Sequence, residues 1–225
     1  MVNVFTVVSG KEYIHHAEAL RVSAQRFDVD LDIKTYPGED RWSAKIKALM
    51  TVQDLGDIVA MIDSDCLFVG RPDFEINWGM RKDPRPWGIG QMGGHKPVEI
   101  LQRRFALKGI PFDPLCQWNT GVIIGPSLHL AKFAKDWLEE WTWYRSVGGT
   151  VIDQPSAYIP WENHLSNSGC QWQLPVTYNW GIKGFGWPDS SQKPVIIHGA
   201  GSAKNSPKWL QVRASILAGK DYHKP

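Results

Sequence analysis

The segment Ile58-Val59-Ala60-Met61-Ile62-Asp63-Ser64-Asp65 limits the possible folds more than any other part of the chain, because five apolar residues run straight into two carboxylates one residue apart. An apolar run of this length reads as a strand buried on both faces, as in a parallel sheet covered by helices. In an open α/β sheet, ligands bind beyond the carboxyl ends of the strands. Asp63 and Asp65 are therefore candidate hard oxygen ligands for a divalent cation. A cation held there is suited to neutralising a diphosphate leaving group.

Spacing alone does not make this case, since Asp-x-Asp occurs again at Asp28-Val29-Asp30 and at Asp30-Leu31-Asp32. Those two fall in a polar turn after a predicted helix, where clustered aspartates serve turn chemistry and solvation. Only the Asp63 pair lies between two apolar runs, the second being Cys66-Leu67-Phe68-Val69.

The chain has 225 residues, which suits one α/β domain with a full core. Its 25 Lys plus Arg against 23 Asp plus Glu give a formal charge of +2, so there is no strong electrostatic footprint for nucleic acid or an anionic membrane. No stretch approaches the ~18 consecutive apolar residues of a membrane span, and the start lacks a basic region followed by an apolar signal core. A soluble, cytoplasmic protein is expected. Cys66, Cys116 and Cys170 are far apart and odd in number, which argues for buried thiols and against a disulfide framework or zinc finger. Twelve tryptophans are an excess for this length. Two uses stay open for them, core packing and a stacking platform for a sugar or a base.

Along the chain, residues 2–8 read as a strand broken by Ser9-Gly10, residues 13–27 as a helix, and residues 31–36 as a half-buried strand ended by Pro37-Gly38. A helix over 43–53 with Ser43 as its cap precedes the Asp63 strand. Further strands are predicted at 87–92, 120–125 and 194–198. A helix over 128–147 carries a core-facing stripe of Leu130, Phe133, Ala134, Trp137, Trp141 and Tyr144. A closing helix spans 207–217, with Pro207 in its first turn. Strands alternating with helices predict βαβ units. The expected fold class is α/β, a single Rossmann-like domain whose central sheet is mixed but mostly parallel and flanked by helices. His15 and His16 are expected at the surface.

The late strand repeats the logic of the early one: Val195-Ile196-Ile197 ends in His198, followed by a glycine-punctuated loop to Lys204. It offers a third ligand and a cation for phosphate. Two strand-end carboxylates and one imidazole form an incomplete shell with room for diphosphate oxygens, as expected for Mg²⁺ or Mn²⁺ used with a nucleotide.

With these residues in view, the chain resembles metal-dependent glycosyltransferases of the GT-A fold, in particular the glycogenin-like and lipooligosaccharide galactosyltransferase-like group. The likeness runs through most of the chain as ordered markers: an opening strand and a Tyr13-led helix with Ala17, Leu20 and Ser23; Lys45 on the helix before the strand; Asp63-Ser64-Asp65; Asn119-Thr120-Gly121; Asp153-Gln154; Leu174-Pro175 with Tyr178-Asn179; and His198-x-x-Gly201-x-x-Lys204. The resemblance implies a nucleotide-binding half over residues 1–70 and a sugar and acceptor half over 71–225.

It further implies that Tyr13 stacks on the nucleobase and Lys45 contacts the donor. Asp63 touches ribose and metal, while Asp65 and His198 ligate Mn²⁺ or Mg²⁺. Asn119 holds the donor sugar, Asp153 binds sugar hydroxyls, and Gln154 lies beneath the anomeric carbon. Gly201 and Lys204 form the phosphate clamp. The group usually reads Lys-Pro-Trp at its last marker, whereas here Asn205-Ser206 intervenes before Pro207-Lys208-Trp209, so Lys204 and Lys208 both stand as the clamp.

The expected activity is sugar transfer from a nucleotide diphosphate sugar, a UDP-sugar above all, to an acceptor hydroxyl, with retention at the anomeric carbon. The acceptor stays open among a saccharide, a lipid-linked sugar, a protein hydroxyl and a hydroxymethylated base in DNA. For the last, Arg81-Lys82, Arg103-Arg104 and Lys208 are the basic clusters that could meet phosphates. The alternative outside catalysis is a carbohydrate-binding protein that uses the tryptophans.

Overall fold

A computed structural model describes residues 2–83, 95–111, 117–148, 154–168, 172–189 and 191–222. The expected strand over 87–92, together with Asp153, Cys116 and Cys170, lies outside them. The chain opens with β1 (Val2–Val8), a short 3₁₀ turn over Lys11–Tyr13, α1 (Ile14–Gln25), β2 (Leu31–Thr35), α2 (Arg41–Met50), β3 (Ile58–Ile62) and β4 (Cys66–Phe68). It continues through β5 (Gly79–Asp83), α3 (His95–Leu107), β6 (Gln117–Pro126), α4 (Ser127–Ser146) and α5 (Gln154–Ser168). The last elements are β7 (Trp180–Gly181), α6 (Ile182–Phe185), β8 (Ile196–His198) and α7 (Pro207–Leu217).

These form an α/β fold around a mixed five-stranded sheet, in the order β2-β1-β3-β6-β5, flanked by helices. β1 is parallel to β2 and to β3, because helical crossovers α1 and α2 return the chain to the same end of the sheet each time. β6 is antiparallel to both β3 and β5. The sheet is thus mixed, as expected, with two parallel and two antiparallel pairings and four of its five strands running in one direction. The βαβ alternation stops at β3, and with it the constraint on direction.

A smaller sheet, β4-β8-β7, sits beyond the end of β3. β4 and β8 are antiparallel with Cys66 opposite His198, and β7 runs parallel to β8 with Gly181 opposite His198. This sheet is what brings the late strand to the early one.

Helix starts follow local capping chemistry. Asp40 caps α2, its side chain accepting from the backbone N–H of Trp42 and of Ser43 at 3.0 and 3.2 Å. The cap is therefore Asp40, not Ser43 as expected, and Arg41 and Trp42 belong to the first turn. Ser206 caps α7 by accepting from Trp209 N–H, with Pro207 at the first helical position.

The α4 stripe is buried throughout, from Leu130 to Tyr144. Its Phe133 and Trp137 rings stack at 5.2 Å, and Trp161 of α5 meets Phe133 edge-on at 4.9 Å. Trp118, Trp137, Trp141, Trp161, Trp172, Trp180 and Trp209 are all buried. Core packing therefore accounts for much of the tryptophan excess. Among the described residues, no helix is long and apolar enough to cross a membrane.

One core position carries a pH signature. His164 of α5 stacks on Trp161 at 5.5 Å, and its Nε2 is buried without a hydrogen-bond partner. Burial, then His129 and Lys132, push its pKa down to about 4. The unfolded chain, with an ordinary imidazole, takes up a proton near pH 6.5 that the folded chain refuses until about pH 4. Stability should therefore fall as pH drops from 6.5 to 4, and His164→Gln should flatten that fall in urea unfolding midpoints. An unchanged slope would show that this imidazole is not held neutral.

Candidate functional site

The carboxyl ends of β1 and β3 open into a cleft lined by Val7, Ser9, Tyr13, Arg41, Trp42, Lys45, Asp63, Ser64, Asp65 and Lys204. Its floor is charged and one wall is aromatic.

Asp63 leaves the end of β3 with its backbone N–H donating to the Gly121 carbonyl at 2.8 Å, so the sheet ladder fixes where the carboxylate starts. Lys45 of α2, only 4 % exposed, places its Nζ 2.7 Å from Asp63 Oδ1. Asp65 is held at its backbone by Gly199 N–H, which donates to its carbonyl at 2.9 Å. Its side chain meets two cationic or imidazole groups, with Oδ1 3.3 Å from His198 Nε2 and Oδ2 3.4 Å from Lys204 Nζ. His198 Nε2 also lies 3.9 Å from Asp63 Oδ2. Burial opposes ionisation of Asp65, but the charge and hydrogen bonds of His198 and Lys204 outweigh it and hold the carboxyl well below the usual range. It is an anion at any physiological pH.

The other side of His198 is built with equal care. Its Nδ1 is 2.9 Å from Asn179 Oδ1, Asn179 Nδ2 donates to Asn119 Oδ1 at 2.8 Å, and Gly121 N–H donates to the same Asn119 oxygen at 2.9 Å. Because Asn179 Oδ1 can only accept, Nδ1 is the donor in that contact, and Nε2 is the ring nitrogen turned toward the carboxylates, where it would be free to ligate a bound metal. That is the arrangement by which proteins orient a metal-binding imidazole.

A metal at this place is tested by the donor set itself. Asp65 Oδ1 and Asp63 Oδ2 lie 3.3 and 3.9 Å from His198 Nε2, two hard oxygens and one nitrogen of the kind Mg²⁺ or Mn²⁺ takes. Among the described residues, the set whose ligand atoms all lie within 4.8 Å of one another is Asp65, Cys66 and His198, without Asp63. Burial, with Asp65 and Asp63 adding to it, pushes the Cys66 thiol well above its ordinary pKa, and its Sγ lies 3.9 Å from the Gly121 carbonyl oxygen.

The sequence-derived residues are largely brought together. Tyr13, Lys45, Asp63, Asp65 and Lys204 all line the cleft, and His198 closes its floor. Lys204 answers which lysine reaches this cleft, since Lys208 sits exposed on α7 and does not line it. Gly201 opens the 3₁₀ turn that carries Lys204, in a left-handed conformation (φ +65°) that favours glycine. Asn119 is buried, and its Oδ1 is engaged by Gly121 and Asn179. Gln154 starts α5 and is partly buried.

Several features were not anticipated. His16, expected at the surface, is 5 % exposed: α1 packs against α7, and His16 Nδ1 lies 3.3 Å from Arg213 Nη1. Burial, His15 and Arg213 push its pKa down to about 4 against the opposing pull of Asp65. Arg41 and Trp42 join the cleft because Asp40 starts α2 earlier than expected. Reading Asp40 as the cap would have revealed Arg41 one helical turn before Lys45 on the same face. Of the basic clusters, Arg103 and Lys208 are exposed, whereas Arg81 and Arg104 are engaged within the protein. Arg81 is buried with its guanidinium 4.9 Å from the Phe185 ring, and Arg104 grips the buried Glu140 at 2.9 and 3.2 Å.

No protein-family model matches the chain, and no curated protein shows significant similarity to it.

Proposed function

We propose that the chain is a metal-dependent glycosyltransferase of GT-A type that moves a sugar from a nucleoside diphosphate, UDP being the expected one, to an acceptor hydroxyl with retention of configuration. The observation that carries this reading is a single cleft in which the Tyr13 and Trp42 rings meet two carboxylates, each paired with a lysine. A nucleoside diphosphate has the matching form, one flat apolar end and one polyanionic end. Asp63, Asp65 and His198 would hold Mn²⁺ or Mg²⁺, which when bound supplies positive charge against the departing diphosphate.

The chain's own groups divide the remaining work. Lys204 provides a cation at the phosphate end, and its partner Asp65 places it there. Lys45 aims the Asp63 carboxylate into the cleft through a contact of 2.7 Å. Asn179, itself held by Asn119, keeps His198 Nε2 facing the same point. Fixed charges aimed at a bond whose electrons depart with the diphosphate lower the barrier without reorganising during reaction. Asp153 and Gln154 would serve the sugar end, as the resemblance implies.

Incubation with a panel of UDP- and GDP-sugars and Mn²⁺, with release of nucleoside diphosphate as the readout, tests this directly. Release from at least one donor, abolished by EDTA, is the expected result. If UDP with Mn²⁺ raises the melting temperature but no donor turns over, the carbohydrate-binding reading replaces this one.

A further inference from the structure

The charged floor of the cleft suits a diphosphate, and a further cation stands on the aromatic wall, whose Tyr13 ring also meets Lys204 Nζ at 4.6 Å. Arg41 lies there with its guanidinium carbon 4.0 Å above the Trp42 ring and 5.7 Å from the Tyr13 ring centre. It also donates a hydrogen bond from Nη1 to the Tyr13 hydroxyl. An exposed arginine ordinarily samples many rotamers. This one is fixed at the first position of α2 by the Asp40 cap, stacked on one aromatic side chain and tied to a second. Arg41 and Lys45 occupy successive turns of the same helix face, and both line the cleft. Lys45 is committed to Asp63 at the phosphate end. Arg41 stands one turn away, beside the rings that a nucleobase would meet.

We infer that Arg41 reads the nucleobase, selecting bases that present a carbonyl oxygen on the edge remote from the ribose. This rests on the donor-site reading above and adds to it a chemical basis for discrimination. A guanidinium has five N–H donors and no acceptor. Uracil offers O4 at the remote edge, and guanine offers O6 beside N7, a pair that arginine reaches with two parallel hydrogen bonds. Cytosine and adenine present an amino group at the corresponding place, so a donor would face a donor. Arg41 is exposed, so the discrimination comes from the charge-assisted hydrogen bonds gained with a carbonyl oxygen and absent with an amino group. Trp42 supports the reader, whose guanidinium covers its ring at 4.0 Å, while stacking on Tyr13 would be shared by all four bases, so that selection comes from Arg41.

The test is calorimetric titration of wild type, Arg41→Leu and Arg41→Lys with UDP, GDP, CDP, ADP and inorganic pyrophosphate, each with Mn²⁺. Wild type should bind UDP and GDP about tenfold or more tightly than CDP and ADP. In Arg41→Leu that preference should collapse while pyrophosphate affinity is unchanged. Arg41→Lys should restore little of it, since an ammonium neither stacks nor forks. An unchanged melting temperature shows that the variants are folded. Equal affinity of wild type for all four nucleotides, or a preference that survives in Arg41→Leu, overturns the inference and leaves the donor site standing. Parallel loss of pyrophosphate binding also overturns it, by making Arg41 a phosphate ligand. Failure of wild type to bind any nucleotide or pyrophosphate removes the donor-site reading and the inference with it.

Discussion

Gly121→Ala is expected to lower the melting temperature by on the order of 10 °C and to abolish metal-dependent nucleotide binding together with it. A methyl group at 121 would lie 2.3 Å from His198 Cε1, 2.5 Å from His198 Nδ1 and 3.0 Å from Asn119 Oδ1. Neither neighbour can yield cheaply. His198 is buried and bonded to Asn179, and Asn119 is bonded to Asn179 and to the backbone of residue 121 itself. Overpacking against groups locked in this way sits at the upper end of its usual cost, about 3 kcal/mol. Gly125→Ala on the same strand is the control. Its added methyl would meet Leu130 at 3.6 Å, ordinary van der Waals contact, so its effect should stay below about 1 kcal/mol. Differential scanning calorimetry of the two variants decides the matter, and equal melting temperatures would mean that the imidazole is not seated against β6.

Asp65→Ala should reduce nucleoside diphosphate release by a factor on the order of 10² to 10³ and erase the Mn²⁺-dependent shift in melting temperature produced by UDP. Asp65 meets both His198 and Lys204, so its loss would remove a proposed ligand and unplace the proposed phosphate cation in one step. It leaves His198 with Asp63 Oδ2 at 3.9 Å as its remaining carboxylate neighbour. Lys45→Ala is the informative comparison, because it strips Asp63 of its 2.7 Å partner but leaves the Asp65 cluster standing. Its effect should be smaller. Steady-state release assays on both variants check this ranking, and an Asp65→Ala protein that keeps more than about a tenth of wild-type turnover would remove Asp65 from the centre of the chemistry.

Where the sequence was legible, it was legible for a physical reason. β3 was readable because an all-apolar run can only be buried on both faces, and the α4 stripe because its 3.6-residue period is long enough to exceed accident. The strand-end positions of Asp63, Asp65 and His198 followed from those runs. The start of α2 was misread because Asp40 and Ser43 are both competent caps, and only the backbone decides which one accepts from the first free N–H groups. That error of a few residues hid Arg41 and Trp42. The direction of β6 was equally invisible, since apolar content does not encode strand polarity. His16 was placed outside because a lone imidazole on a helix carries no sign of which neighbour will cover it, and α7 lies at the far end of the chain.

The pairing of β4 with β8 has a consequence for how the protein comes into being. Asp65 and His198 are separated by more than half of the chain, yet Gly199 must donate to the Asp65 carbonyl and Cys66 must lie opposite His198 before either side chain is aimed. Bringing such distant segments together is slow, because the entropy of closing the intervening loop is lost before the contacts form. During synthesis on the ribosome, the early strands can assemble while their carboxylates still lack an imidazole, and on the proposed reading ligand affinity would arise only when the last third of the chain docks. Nucleotide and metal would therefore act as late chaperones of folding, drawing the final strand into register rather than guiding the first.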